Sequence, residues 1–279
     1  MTWSDPVVLD LCARHEASDP VLLIRELCQA LLQQCPTETG QSPLGVLGSC
    51  RGVRDTRYEM FDRNAECSSL LVPVDGGYEI VVNAAHPPER QHFSRAHEIV
   101  HTFFREIRPY ANASDEEETL CDIGAAELTM PTARFGGFLA QAGVSFPGLY
   151  ACCSEFGVSF RAAMRRATEL TDEAACQLVG AMGRTKEQDL KDVGEPRLRI
   201  QHWNQSKSWP ESRGYLNLPV LNASLIHDAF MHQDERVGNG ELGLTFRPGI
   251  FRIEALGVSY AKDNNPLHRE VIALVRLCA

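Results

Sequence analysis

Features that would place this chain outside the cell or within a membrane are missing from its sequence. Its start, "MTWSDPVVLD", has neither the basic residues nor the long apolar run of a secretory signal. No stretch approaches the ~18 uninterrupted apolar residues of a membrane span. Ten cysteines are present, yet none form a Cys-x-x-Cys pair. Without an export signal they are expected to be reduced, buried thiols rather than a disulfide framework, and the protein to be cytoplasmic. Positive charge is also short, with 27 Lys and Arg against 37 Asp and Glu and a net charge of -10. That balance works against charge-driven binding to nucleic acid or anionic lipid. There is no internal repeat and no low-complexity tract.

What remains is an ordinary globular composition, 44% hydrophobic and 23% charged, in a chain long enough for one large domain or two to three small ones. "SDPVLLIRELCQALLQQC" reads as a helix capped by Ser18 or Asp19, with Pro20 in its first turn and Leu22, Leu23, Leu27 and Leu31 as its apolar stripe. "SSLLVPV" and "GYEIVVN" flank Asp75-Gly76-Gly77 and predict a β-hairpin. A helix is expected from about Glu89 to Arg105, and a second over "ETLCDIGAAELTM", stopped by Pro131. "TARFGGFLAQAG", "LYACCSEFG" and "SFRAAMRRATEL" read as short helices, with "DEAACQLVGAMGR" extending the helical region. Past a charged linker at 186–196, "RLRIQHW", "YLNLPV", "GIFRIEALGVSY" and "EVIALVRL" predict a β-rich C-terminal domain.

The chemistry concentrates in "SRAHEIVHTFF". On a helix His97 and His101, four apart, share a face and can present two imidazoles to one ion, with Glu98 beside them. A metal-bound water has its pKa lowered toward ~7, and a carboxylate placed like Glu98 can take its proton and return it to a leaving amine. Alone, the motif is weak, because a histidine pair on an amphipathic helix has ordinary structural uses. A catalytic zinc needs a third protein ligand. The next helix supplies Glu118 for that role and, one turn on, Asp122 to accept a hydrogen bond from a ligand histidine. Glu116 and Glu117 are rival ligands, with solvated charge as their simpler reading. Phe93, Ala96, Val100 and Phe103 are expected to pack the first helix into a core. "CSSLLVPV" is expected to form either a sheet edge along the cleft, able to hold an extended peptide, or a buried strand without substrate contact.

"RQHFSRAHEIVHTFF" and "ETLCDIGAAELTMP" resemble the two signature blocks of the ImmA/IrrE family of metallopeptidases. The resemblance implies an α+β fold: a zincin-like metallopeptidase domain (1–134), a helical, helix-turn-helix-like region (135–190) and a β-rich, sensor-like C-terminal domain (191–279). It implies His97, His101 and Glu118 as metal ligands, Glu98 as general base and Asp122 behind a ligand. It further implies cleavage of a protein partner, a helix-turn-helix transcriptional repressor, to release stress-response or mobile-element genes. Zinc is the expected ion, and manganese suits the same ligands.

The helix-turn-helix-like segment carries Arg161, Arg165 and Arg166 on its candidate recognition helix. The net charge disfavours DNA binding and makes a helical spacer the preferred reading. A regulator or sensor using the protease scaffold without cleavage is the alternative. A broad degradative protease is disfavoured. Tyr58, Tyr110 and His86 are candidate oxyanion donors. Trp203 and Trp209 are expected in a core, His227 and His232 at the surface.

Overall fold

In the computed structural model of the protein, the described residues are 3–35, 43–62, 67–106, 113–185, 194–210, 216–222, 224–242, 250–262 and 265–277. Proline opens four of its helices: α1 (Pro6–Arg14), α2 (Pro20–Gln34), α3 (Pro43–Cys50) and α4 (Pro88–Arg105). The first helical position suits proline, because the N–H it lacks has no partner there. Asp5 caps α1, and Asp19 rather than Ser18 caps α2. The buried face of α2 runs through Leu23, Ile24, Cys28 and Leu31, and Leu22 is exposed instead of joining the stripe. At ~100° per residue, Leu22 falls off the face that Ile24, Cys28 and Leu31 define.

The predicted hairpin is present. β2 (Ser69–Val74) and β3 (Gly77–Asn83) pair antiparallel across Asp75-Gly76, and β1 (Val53–Glu59) runs parallel to β3, giving the order β1-β3-β2. Gly76 adopts φ 71°, a conformation that glycine reaches without a Cβ penalty. β2 is thus an edge strand, which its Pro73 suits, since proline cannot donate to a ladder on both sides.

The prediction for α4 holds, and α5 (Asp115–Thr129) lies against it. Ala96, Val100 and Phe103 are buried as expected, joined by Ile99 and Phe104, and Phe93 is half-buried. Contact between the two helices depends on Gly124, where a Cβ would stand 2.8 Å from both Val100 methyls. Cys35, after α2, and Cys50, ending α3, form a disulfide, so the expectation of reduced thiols fails for that pair. Cys12, Cys28, Cys121, Cys152 and Cys176 are buried free thiols, as expected. Spacing alone does not reveal that bridge, because its partners are 15 residues apart and their side chains meet only through helix packing.

The chain divides into two compact units, residues 1–135 with 154–159, and residues 136–153 with 160–279. After α6 (Thr132–Ala142), α7 (Phe146–Phe156) and α8 (Phe160–Leu170), the segment expected to prolong the helices is instead strand β4 (Ala175–Gly183). Seven successive positions of β4 are buried, and it pairs on both sides. Such an apolar run carries no period to separate a buried strand from a buried helix.

β4 enters an antiparallel sheet of order β5-β4-β8-β7-β6, with β5 (Arg197–Gln205), β6 (Glu235–Gly240), β7 (Phe251–Lys262) and β8 (Asn265–Leu277). The C-terminal region is therefore β-rich, as predicted, although the described part of "YLNLPV" forms an isolated bridge at Pro219 rather than a strand. A helix the sequence reading did not include, α9 (Leu225–His232), packs on β6, β7 and β8, while α8 packs on β4 and β5. Trp209 is in the core, stacked on Phe251, and Trp203 is half-buried against it. Much of the predicted linker, residues 186–193, lies outside the described residues. No helix among the described residues is long and apolar enough to cross a membrane.

Candidate metal centre

Helix α4 turns His97 and His101 toward the same point, and their Nε2 atoms lie 3.1 Å apart. From α5, Glu118 places Oε2 3.0 Å from His97 Nε2 and Oε1 3.5 Å from His101 Nε2. In a tetrahedral zinc site with bonds of ~2.0–2.1 Å, neighbouring donors stand roughly 3.3 Å apart. Two imidazoles and a carboxylate at these separations are a donor set that fits such an ion.

Behind these atoms, each imidazole is anchored through its other nitrogen. His97 Nδ1 lies 3.0 Å from Asp122 Oδ1, and His101 Nδ1 lies 2.7 Å from Glu117 Oε1. Glu117 is 1% exposed and accepts a hydrogen bond from Arg105 at 2.8 Å. The reading of Glu117 as a solvated charge is therefore corrected. Glu117 is an orienting carboxylate, and Glu116 accepts hydrogen bonds from the Ser4 and Asp5 backbones and the Ser4 hydroxyl. Three consecutive glutamates on a helix face three directions about 100° apart, so only one can join the histidines.

Electrostatics follows this geometry. Burial works against protonating His97, but Asp122 and Glu118 outweigh it and raise its pKa to about 10. His101 is likewise raised against burial by Glu117 and Glu118. In return, hydrogen bonds to His101 and His97 hold Glu118 well below the usual carboxylate range. Without an ion the cluster retains protons that a cation must displace.

Glu98 is buried and accepts a 2.7 Å hydrogen bond from Ser69 Oγ at the start of β2. Ser69 is a partner that sequence reasoning missed, because no local signal links residues 29 apart. Both border a cleft of about 710 Å³ that also takes in Leu70, Leu71 and Pro73 of the sheet edge, together with His97, His101, Glu118 and Asp122. The edge-along-the-cleft expectation for this strand is met. Tyr58 is an exposed residue on β1, the opposite edge, and neither it nor His86 lines the cleft, which holds Tyr78 and Arg90 instead. Tyr110 lies outside the described residues. Cys121, fully buried on α5, brings its sulfur within 4.8 Å of the two histidine donors.

Among the candidate DNA-contacting residues, Arg166 is buried and paired with Glu169, and Arg161 pairs with Glu270 at 3.4 Å. Arg165 is exposed. On α9, His232 is exposed and His227 half-buried.

An α+β unit with two imidazoles and a carboxylate converging beside a sheet edge has the build of a metallopeptidase domain. Residues 53–168 match the Peptidase_M78 family model, described as an IrrE N-terminal-like domain. The Radiation response metalloprotease IrrE of Deinococcus deserti is 29% identical over 129 residues, 41% of this chain and 46% of the relative. The chain thus spans less than half the length of the curated relative it matches. Over residues 53–168 the chain is thus similar to the IrrE N-terminal-like family. A solved Mycobacterium tuberculosis transcriptional regulator superimposes with a TM-score of 0.59 at 11% identity, covering 96% of this chain and 80% of its own. At that identity the likeness is one of fold.

Proposed function

We propose that the protein is a cytoplasmic zinc-dependent endopeptidase that cuts a specific protein partner, a helix-turn-helix transcriptional repressor, and so switches on a stress-response or mobile-element programme. The observation that carries this reading is the convergence of His97, His101 and Glu118 beside Glu98, within a cleft bordered by a strand edge that is unpaired among the described residues.

His97, His101 and Glu118 hold the ion, and Asp122 and Glu117 set the orientation of the two imidazoles. When bound, zinc supplies Lewis acidity, lowering the pKa of water and polarising a peptide carbonyl. Glu98 takes a proton from water and delivers it to the departing amine, converting a poor leaving group into a neutral one. Ser69 holds Glu98 by its Oε1 and keeps the carboxylate aimed. The outer edge of β2 pairs with an extended segment of substrate backbone, as strand addition requires. Selection of one partner then depends on an unfolded or loop segment that reaches this edge.

Incubating the zinc-loaded protein with the repressor encoded beside its own gene tests the reading. A single cut, absent with chelator, is expected; an intact repressor under conditions that load the metal would refute it. The alternative, a regulator that binds DNA without cleavage, is weakened by the pairing of Arg161 and Arg166.

A further inference from the structure

We propose that Arg90 is a substrate-reading residue of the cleft, directing the peptidase to segments that carry an aspartate or glutamate close to the bond cut. The inference rests on the reading of this cleft as a peptidase site and deepens it by naming the charge of its substrate. Among the described residues two arginines line the cleft. Arg105 is buried and donates to Glu117, so its charge is neutralised inside the protein. Arg90, in the first turn of α4, is exposed. Among the described residues its guanidinium bonds only the Ser68 hydroxyl, through Nε at 3.2 Å and Nη2 at 2.7 Å, and no carboxylate pairs with it.

That tether sets where the charge stands. Ser68 Oγ accepts from Arg90, and the next residue, Ser69, donates to Glu98, so adjacent serines hold the cation and the general base. Arg90 precedes Glu98 by about two turns of α4, ~12 Å along its axis. A substrate strand on the outer edge of β2 advances ~3.3 Å per residue, which puts the matching carboxylate roughly two to four residues from the bond cut. Ser68 occupies Nε and one Nη2 hydrogen. Nη1 and the second Nη2 hydrogen are left, and together they can hold both oxygens of a carboxylate.

An exposed arginine is ordinarily a solvated charge. Two features set Arg90 apart. The first turn of a helix favours anions and disfavours a cation, so Arg90 is not placed there to stabilise α4. Its fork is also fixed to the start of the cleft-bordering strand rather than extended into water. Elsewhere the cleft presents the carboxylates of Glu98, Glu118 and Asp122, which repel an acidic side chain. Arg90 attracts such a side chain to its own end of the cleft and repels a basic one, and both effects sharpen selection.

Digestion of a peptide library reads this preference directly. The zinc-loaded full-length chain is incubated with proteome-derived peptides, and the cuts that chelator abolishes are located by mass spectrometry. The proteins compared are the parent, Arg90→Gln, Arg90→Glu and, as control, Arg14→Gln, an exposed arginine of α1 outside the cleft. Aspartate and glutamate are expected to be enriched about three- to tenfold at two to four residues on one side of the cut in the parent and the control. The enrichment is lost in Arg90→Gln and gives way to lysine and arginine in Arg90→Glu. Cuts without acidic enrichment in the parent, or parental enrichment in Arg90→Glu, would overturn the proposal while leaving the peptidase reading intact. No chelator-sensitive cut in any peptide would remove the peptidase reading and this inference with it. Circular dichroism confirms that each variant is folded; should Arg90→Glu unfold, Arg90→Gln decides.

Discussion

Glu117 Oε1 lies 2.7 Å from His101 Nδ1, and the carboxylate that makes this contact is 1% exposed. The same oxygen accepts a hydrogen bond from Arg105. His101 is therefore held by a buried ion pair rather than by solvent, and its Nε2 is turned toward the donors of the centre. Glu117→Gln is expected to fold and to weaken zinc binding by about 10–100-fold, the usual cost of losing an orienting partner. Glu117→Ala goes further, removing a buried hydrogen-bond partner of both His101 and Arg105, and is expected to cost about 1–3 kcal/mol of stability. Competition titration with a chromophoric chelator and thermal melts measure the two effects; unchanged zinc affinity in both variants would exclude the orienting role.

Glu98→Gln keeps the size of the side chain and its ability to accept from Ser69 Oγ, but loses its basicity. The variant is expected to bind zinc as the parent does and to cleave the partner about 10²–10⁴-fold more slowly. Ser69→Ala should show a smaller loss, because it frees the carboxylate without removing it. Single-turnover cleavage followed by gel gives both rates. Full-speed cleavage by purified Glu98→Gln would rule out its role as the base.

Glu118→Ala removes the carboxylate that, among the described residues, lies within 3.5 Å of both histidine Nε2 atoms. Zinc content by atomic absorption is expected to drop from about one ion per chain to near zero after dialysis. Retention of stoichiometric zinc would mean that another group completes the site.

The pH dependence has a definite sign. In the metal-free protein His97 is raised from 6.5 to about 10, so its contribution is fully present below pH 6.5 and is lost as the pH rises through about 10. Glu118 is depressed, so its contribution is present above its unfolded value near 4.5 and is lost as the pH falls toward its folded value. The melting temperature without metal is expected to be highest between about pH 5 and 6.5 and to decline by several degrees toward pH 10. Zinc must displace these protons, so its apparent affinity rises with pH over the same upper range. Calorimetry in buffers of different ionisation enthalpy counts the protons released; a count of zero at pH 7 would contradict the raised His97.

Gly124 sits where α5 crosses α4, and a Cβ there would press on both Val100 methyls at 2.8 Å. Gly124→Ala is expected to destabilise by about 1–3 kcal/mol, and Gly124→Val by more. Because α5 carries Glu117, Glu118 and Asp122, the shift should also weaken zinc binding, although Gly124 touches no donor. Parallel melts and zinc titrations would separate the two effects; a destabilised variant with parental zinc affinity would show that the donors tolerate the displacement.

The elements that were legible in advance are those whose signals are local. Prolines at helix starts, the Asp75-Gly76-Gly77 turn and the four-residue spacing of His97 and His101 each act within a few bonds of the backbone. Strand β4 was not legible, because "AACQLVGAMG" is apolar at almost every position and has no period until pairing on both sides makes it a strand. Helix α9 spans only eight residues, Leu225–His232, too short for its apolar period to stand out. The Cys35–Cys50 bridge depends on where two helices end in space.

The sequence by itself determined that two imidazoles and a glutamate share one helix and that acidic residues follow on the next, since helical periodicity makes neighbours of residues three and four apart. It could not decide what Glu116, Glu117 and Glu118 each do. Those three differ only by rotation about the axis of α5, and their directions acquire meaning when Gly124 lets that helix lie close against α4. Tertiary packing then set Glu118 among the donor atoms, Glu117 behind His101 and Glu116 on the Ser4 and Asp5 backbone. The same packing brought Ser69 to Glu98, a contact between residues that no local rule connects.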